Sequence, residues 1–307
     1  MKIALCFIIS YEHILNKEDI WRQWIEPNKD IINVYFYYKD IKKIKSQWIL
    51  QHALPRQHIH ETSYYHVIPA YLSLMQYALS HDKNNQWLCL LTDSCCPIIS
   101  PRKFRSLFYE YWNKSVISWK PAWWNINIYK RANLALLPDE FHLGNDPWFV
   151  LKRENATHIL LFSKNQTQLV KTICAGGLAN ESLFAIILHG YKQLNSSNNN
   201  VISGVTHLAD WSRMSSATSP HTFKDANATD IKFIEDNLEK NKYAMFIRKV
   251  APEFPNEVLN YYIYEHKYEQ LFACEPFIFI YRRLITRLWY GLFIICILYG
   301  LKYIFIY

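Results

Sequence analysis

The chain has 307 residues, half of them hydrophobic and 16% aromatic, with only 7 glycines and 12 prolines. That composition excludes a disordered or collagen-like chain and suits one sizeable domain or two small, tightly fused ones. The formal net charge of +8 favours anions such as acidic lipid, nucleic acid or a nucleotide diphosphate, but no run of five or more Lys and Arg occurs; the charge therefore reads as a solvated basic surface, and no nucleic-acid partner is expected.

The apolar run at 2–10 is short and lacks a small-residue cleavage site, so it reads as a buried first strand rather than a signal peptide. A Trp-rich helical stretch around Trp21 leads to a strand at 33–39. The spacing of Ile68, Tyr71, Leu72 and Met75 predicts a helix over 67–79, followed by a strand at 87–92. Strand, helix, strand in this order predicts an α/β fold with a mostly parallel sheet. A further helix carrying Phe104, Leu107, Phe108 and Tyr111 precedes a strand at 115–119. Asp146 is placed to cap a helix running through Trp148, Val150 and Leu151 towards Leu161, with Pro147 at a position that helices tolerate early. The polar, low-complexity stretch 194–200 predicts a mobile loop. Strands at 201–211 and 243–250 bracket a helix at 229–238 and are expected to join the sheet.

Residues 288–301 carry no charge, and beyond them only Lys302 does. Twenty helical residues rise roughly 30 Å, about one hydrocarbon thickness. Arg282, Arg283 and Arg287 guard one side only, which favours a spanning anchor over a buried core helix and places the globular part on the cytoplasmic side. Six Asn-x-Ser/Thr sequons, at Asn113, Asn155, Asn165, Asn180, Asn195 and Asn227, point instead to a lumenal one; the side stays open. The expected organisation is a globular domain at 1–270, a basic juxtamembrane segment at 271–287 and a C-terminal membrane anchor at 288–307, in an ER/Golgi-type or viral membrane. Seven cysteines without a short spaced framework read as mostly free core thiols, and no Cys-x-x-Cys zinc pattern occurs.

Four segments follow one another in an order that carries more information than any of them alone. They are Leu90-Leu-Thr-Asp-Ser-Cys-Cys-Pro-Ile98; Gly144-Asn-Asp-Pro-Trp-Phe-Val-Leu-Lys-Arg153; Asn180-Glu-Ser-Leu-Phe-Ala185; and Asp210-Trp-Ser212 with Ser219-Pro-His-Thr-Phe-Lys224 and Met245-Phe-Ile-Arg-Lys-Val250. Over roughly residues 1–265 the set resembles the core-2/I-branching N-acetylglucosaminyltransferases and their xylosyltransferase relatives, glycosyltransferase family 14. The resemblance implies a GT-A-like, Rossmann-type nucleotide-sugar domain. It implies inverting, metal-independent transfer of a sugar, N-acetylglucosamine from its UDP donor being the expected one, to a glycan or glycoprotein hydroxyl. No cofactor beyond the UDP-sugar co-substrate is implied. In residues, it implies Glu181 as general base, Asp93, Ser94, Arg248, Lys249 and Lys224 at the nucleotide-sugar, and Trp211 and Trp148 at the acceptor. Pro147 and Ile247 depart from the family pattern, where a polar and a small residue stand. They keep open a second reading, a catalytically silent membrane-anchored relative that binds glycans or proteins.

The residues suit this chemistry on their own terms. Inverting transfer needs a carboxylate to take the acceptor's proton; Glu181, at the start of a predicted helix, offers one, although an acidic residue there also complements the helix dipole. No Asp-x-Asp occurs, so side-chain cations have to stabilise the leaving diphosphate. Arg248 and Lys249 close an apolar strand, where alternation sends them to opposite faces; Arg248 equally suits a structural ion pair, and Lys224 and Arg213 are lesser candidates. Asp93 and Ser94 sit just past a predicted parallel strand, where open α/β sheets place ligand loops. The indole of Trp211 suits a sugar face and equally suits a core. His221, with no partner cluster, reads as a turn or surface histidine rather than a metal ligand.

Overall fold

The apolar run at the N-terminus forms β1 (Lys2–Ile8), in which every residue after Lys2 is buried. A strand with no wet face needs partners on both edges and cover on both sides. In this computed structural model, which describes residues 1–9, 12–194, 200–216 and 218–264, β1 has both. It pairs in parallel with β2 (Ile32–Tyr37) on one edge and β3 (Asn85–Thr92) on the other. The crossovers are α1 (Glu18–Ile25) before β2, then α2 (Gln47–Gln51) and α3 (Ile68–His81) before β3. Next come β4 (Cys96–Pro97), α4 (Pro101–Tyr111), β5 (Ser115–Ile117), β6 (Trp119–Pro121), β7 (Leu143–Asn145) and β8 (Val150–Lys152). The helices α5 (Arg153–Asn165), α6 (Thr167–Ala175) and α7 (Leu183–Gly190) lead to β9 (Val201–Ser203) and β10 (His207–Ala209). The described part closes with α8 (Ala228–Lys240), β11 (Phe246–Arg248) and α9 (Asn256–Ile263).

The central sheet runs β2-β1-β3-β8-β5-β9, with β8 antiparallel to both its neighbours and the other pairings parallel. This is the mixed α/β architecture, with a mostly parallel central sheet, that fits a GT-A-like fold. These elements form one compact unit, Met1–Ile263. The basic segment 271–287 and the apolar segment 288–307 lie outside the described residues. Among the described residues no helix is long and apolar enough to cross a membrane. The expected loop at 194–200 falls mostly outside them too.

Alternation along β1 divides the core into two layers. Ala4, Cys6 and Ile8 join a cluster that includes Tyr71 and Leu74 of α3 and Phe184 and Ile187 of α7. On the other face, Phe7 meets Trp21 edge-on at 4.9 Å and stacks on Phe36 at 5.0 Å. That aromatic layer continues through Trp24 and Phe104 (4.7 Å) to Phe246 of β11, 5.7 Å from Trp21 and 5.9 Å from Phe104. Buried indoles still need a partner for the N–H. Trp21 donates to the Cys95 carbonyl at 2.9 Å and Trp24 to that of Ile99 at 2.8 Å. The layer thus ties α1, the chain after β3 and β11 into one body, and so fixes the end of β11 relative to the end of β3.

Two expectations are corrected. The helix through Trp148 does not exist, and Asp146 caps nothing: Phe149, Val150 and Leu151 are fully buried, β8 fills the gap between β3 and β5, and α5 begins only at Arg153. An apolar run this short fits either element, and sheet closure decides. Arg153 instead donates to the carbonyls of Leu79 (3.0 Å) and Asn85 (3.2 Å), at and beyond the C-terminal end of α3. Residues 201–211 and 243–250 also do not form two added strands of the central sheet. Only β9 joins it; β10 pairs in parallel with β11, which pairs antiparallel with β4, in a separate three-stranded sheet. Among the sequons, Asn155 is fully buried with its amide on Ser115 Oγ (2.9 Å), Asn227 caps α8, and Asn113 and Asn165 are exposed.

Trp24→Ala removes a fully buried ring and its hydrogen bond to the chain after β3. We expect a loss of about 3–5 kcal/mol in unfolding free energy, read as a lower denaturant midpoint at unchanged slope.

Candidate functional site

Asp93 and Ser94 follow β3 directly, at the carboxyl end of the parallel strands. The Asp93 N–H donates to the Ile8 carbonyl (3.2 Å), and Val250 N–H donates to the Ser94 carbonyl (2.8 Å). The chain leaving β3 and the chain leaving β11 are therefore stitched side by side, which brings Arg248 and Lys249 to Asp93.

Arg248 is buried at 6% exposure, with its guanidinium 3.6 Å above the ring of Trp148. Its Nε and Nη1 have no hydrogen-bond partner, and among the described residues no carboxylate pairs with it. Burial lowers its pKa, but an arginine starts so far above neutrality that it stays charged. Beneath it, His207 packs against Trp148 and Phe246 and is held well below the usual histidine range, first by burial and then by the Arg248 charge; it adds bulk without charge. Lys249 is half-buried, donates to Ser219 Oγ at 2.7 Å, and has its pKa lowered by burial and by Arg248. Burial also raises the Asp93 carboxyl, which Arg248, Ser94 and Lys249 pull back down. A buried guanidinium and a half-buried ammonium thus stand at one corner, an arrangement that suits a multiply charged anion.

Beside this corner lies a cavity of about 390 Å³, whose lining includes Trp119, Lys120, Trp123, Asp146, Glu181 and Trp211. Its floor is set by Asn145, fully buried on β7. The Asn145 amide donates to the Asn180 carbonyl (2.9 Å), and its oxygen accepts from the Ala185 N–H (3.1 Å). That clasp fixes the short 3-10 turn Ala179–Glu181 just ahead of α7. Glu181 therefore stands before the helix rather than in its first turn. Its carboxyl is raised by burial; Arg131, 3.3 Å away, pulls it down, and Asp146 pushes it up. Asp146 is raised by burial as well, against a hydrogen bond from Ser118 and the charge of Lys120. The Trp123 and Trp124 rings lie so close over Gly144 that a Cβ there would meet both.

Tyr71 joins the two halves. Its hydroxyl donates to the Pro147 carbonyl at 2.8 Å, and the charges of both Arg248 and Glu181 act on it. Ser219, which receives the Lys249 ammonium, follows within one residue of Thr218 on the cavity wall. Trp211 is 43% exposed at the rim, held out by a turn in which Asp210 accepts from Ser212 N–H (2.9 Å) and Arg213 Nε (2.6 Å).

Asp93, Ser94, Arg248, Lys249, Glu181 and Trp211 thus fall in one region. Trp148 is under Arg248 and does not line the cavity. Lys224 is exposed and faces Glu253 at 3.9 Å. Arg213 is occupied by Asp210 and Asp230, and His221 also pairs with Asp230 at 3.1 Å. Lys120, Trp123 and Arg131 escaped the sequence reading, and Asp146 entered it only as a helix cap. The signal for the first three was the interleaving of tryptophans and cations over 119–131, a stretch without periodicity. Among the described residues no cluster of three or more His, Cys, Asp or Glu is placed to hold a metal ion.

An α/β sheet with loops at its strand ends, a cationic corner and a carboxylate-bearing, tryptophan-walled cavity are the features that the fold brings together. The model of the core-2/I-branching enzymes matches residues 33–235, more than half of the chain, and the chain belongs to that family. The family implies glycosyltransferase activity. No curated protein matches the chain. Met245–Val250, with Arg248 and Lys249, lies beyond the matched residues; the structure itself brings it to the site.

Trp148→Leu keeps an apolar filler but removes the ring face. A desolvated cation–π contact contributes about 2 kcal/mol, so we expect the unfolding free energy to fall by about that much, read as a lower denaturant midpoint at unchanged slope.

Proposed function

We propose that the protein is an inverting glycosyltransferase that moves a sugar, N-acetylglucosamine from UDP-N-acetylglucosamine being the favoured donor, to a glycan hydroxyl without a metal. The observation that carries this reading is a buried guanidinium that pairs with no carboxylate among the described residues, set beside a cavity that holds a carboxyl of raised pKa. The acceptor oxygen attacks the anomeric carbon while its proton passes to the Glu181 carboxylate. The bond from that carbon to the diphosphate oxygen breaks, and the negative charge left on the diphosphate falls to Arg248 and Lys249. Trp211, and the wall formed by Trp119 and Trp123, offer apolar faces to sugar rings. Because burial raises the Glu181 carboxyl, its basic form is lost sooner as pH falls than that of an ordinary glutamate, and transfer declines on the acid side first.

The test is transfer from a panel of UDP-sugars to glycan acceptors in EDTA; a folded chain giving neither transfer nor donor hydrolysis overturns the reading and favours a silent glycan-binding relative. Lys249→Ala is expected to weaken UDP affinity and rate together. Glu181→Gln is expected to bind UDP normally while turnover falls by roughly a hundred- to ten-thousandfold. We also propose attachment to a membrane through 288–307, so deleting 284–307 should release a folded protein into the soluble fraction; a truncated chain that still sediments with membranes contradicts it.

A further inference from the structure

Arg131 and Glu181 meet although they belong to chain segments fifty residues apart, and the contact between those segments is made by backbone. The turn carrying Arg131 runs into two left-handed residues, Ala132 (φ 52°) and Asn133 (φ 48°). The turn leading to Glu181 does the same, with Gly177 (φ 68°) and Leu178 (φ 48°). Left-handed backbone at non-glycine residues is strained and persists only where surroundings impose it. Here each turn imposes it on the other. The Ala132 N–H donates to the Gly177 carbonyl at 2.9 Å, and the Asn133 amide donates to the Thr172 carbonyl at 2.7 Å. Gly176 has no room for a side chain: a Cβ there would run into the backbone of Lys130, Ala132 and Asn133. The Glu181 N–H closes the second turn on the Leu178 carbonyl (2.9 Å).

We propose that the apposition of Gly176 and Gly177 against Lys130–Asn133 is a positioning device that holds the Arg131 guanidinium on Glu181, keeping the base ionised and aimed as the acceptor arrives. This rests on the reading of Glu181 as the base. Arg131 is itself steadied over the Trp124 ring at 5.4 Å, so the ion pair is fixed from both ends. The other charged groups facing Glu181 are Asp146, which opposes its ionisation, and Lys120, which acts on Asp146; Tyr71 is neutral. Lys171 and Cys174 of α6 line a different cavity, and His189 of α7 packs edge-on against Phe141. Arg131 is thus the cation that stabilises the Glu181 carboxylate, and Gly176 is the residue that puts it there without touching substrate.

Three full-length variants, Gly176→Ala, Arg131→Ala and Arg131→Lys, test this by two readouts. In the pH profile of kcat, Gly176→Ala and Arg131→Ala should move the acid limb upward by about one pH unit, the lower end of what an opposite charge in contact contributes; Arg131→Lys should return it most of the way. The carbon-13 titration of the Glu181 carboxyl, assigned by its disappearance in Glu181→Gln, should shift in parallel and needs no turnover. A carboxyl that titrates alike in wild type and in folded Arg131→Ala overturns the proposal. So does a Gly176→Ala protein that folds and titrates as wild type. If the carboxyl shifts as expected while no variant and no wild type transfers sugar, the positioning stands and the function reading falls. Should Gly176→Ala fail to fold, the two Arg131 variants still decide.

Discussion

The guanidinium of Arg248 is buried without a paired carboxylate among the described residues, and much of the architecture answers that constraint. An unpaired buried charge is costly, and proteins ordinarily pair it or neutralise it. Arginine does not neutralise at any ordinary pH, so the chain surrounds it with what a cation tolerates: the face of Trp148, a neutral His207 and the Asp93 carboxyl at a distance. None of these satisfies Nε or Nη1. In the proposed reaction a diphosphate accepts from them, and the charge held there acts on the donor and more strongly on the departing group.

Holding that arrangement requires β11 to end beside β3, and the sheet alone does not ensure it, since β11 belongs to the smaller sheet. The aromatic layer does. Phe246, two residues before Arg248, packs on Trp21, Trp24 and Phe104, and these in turn seat on β1 and on the carbonyls of the chain after β3. The heavy aromatic content of the sequence is thus spent partly on registering two sheets whose edges do not pair with each other. A layer of rings resists shear better than aliphatic packing because each edge-to-face contact has a preferred geometry.

The elements that the sequence makes legible are those whose stability is local or whose burial is complete: β1, β3, α3, α4 and α8 lie close to where spacing and apolar runs place them. The misreading of 146–161 has a definite cause. Trp148 to Leu151 is four apolar residues in succession, a pattern without period, and Asp-Pro ahead of it is a good helix start. Only the gap between β3 and β5, a long-range fact, selects a strand. The same misreading hid Asp146, taken as a cap when it is a cavity carboxylate; Trp148, which the resemblance sets at the acceptor, packs under Arg248. Glu181, Lys249 and Asp93 are legible as candidates because each lies in a short motif; Arg131 and Lys120 are not, because their place at the cavity exists only once β6, β7 and the turn at 179–181 are folded together.

The two ends of the proposed reaction are held by different means, and the difference follows from what each must do. The cations sit on a strand end inside a rigid aromatic body, where preorganised charge acts most strongly on a leaving group. The base sits on a 3-10 turn clasped by Asn145 on one side and by the left-handed turn of Arg131 on the other. A turn provides the opening that an acceptor of variable shape needs, at the expense of precision; the backbone lock restores precision at the one carboxylate that requires it. Asp146 completes the balance. With two carboxyls in one partly buried cavity, Asp146 resists the ionisation of Glu181, and Arg131 favours it because it contacts that group directly. In the proposed reaction, which carboxylate takes the proton therefore depends on how Arg131 at Glu181 is set against Lys120 and Ser118 at Asp146.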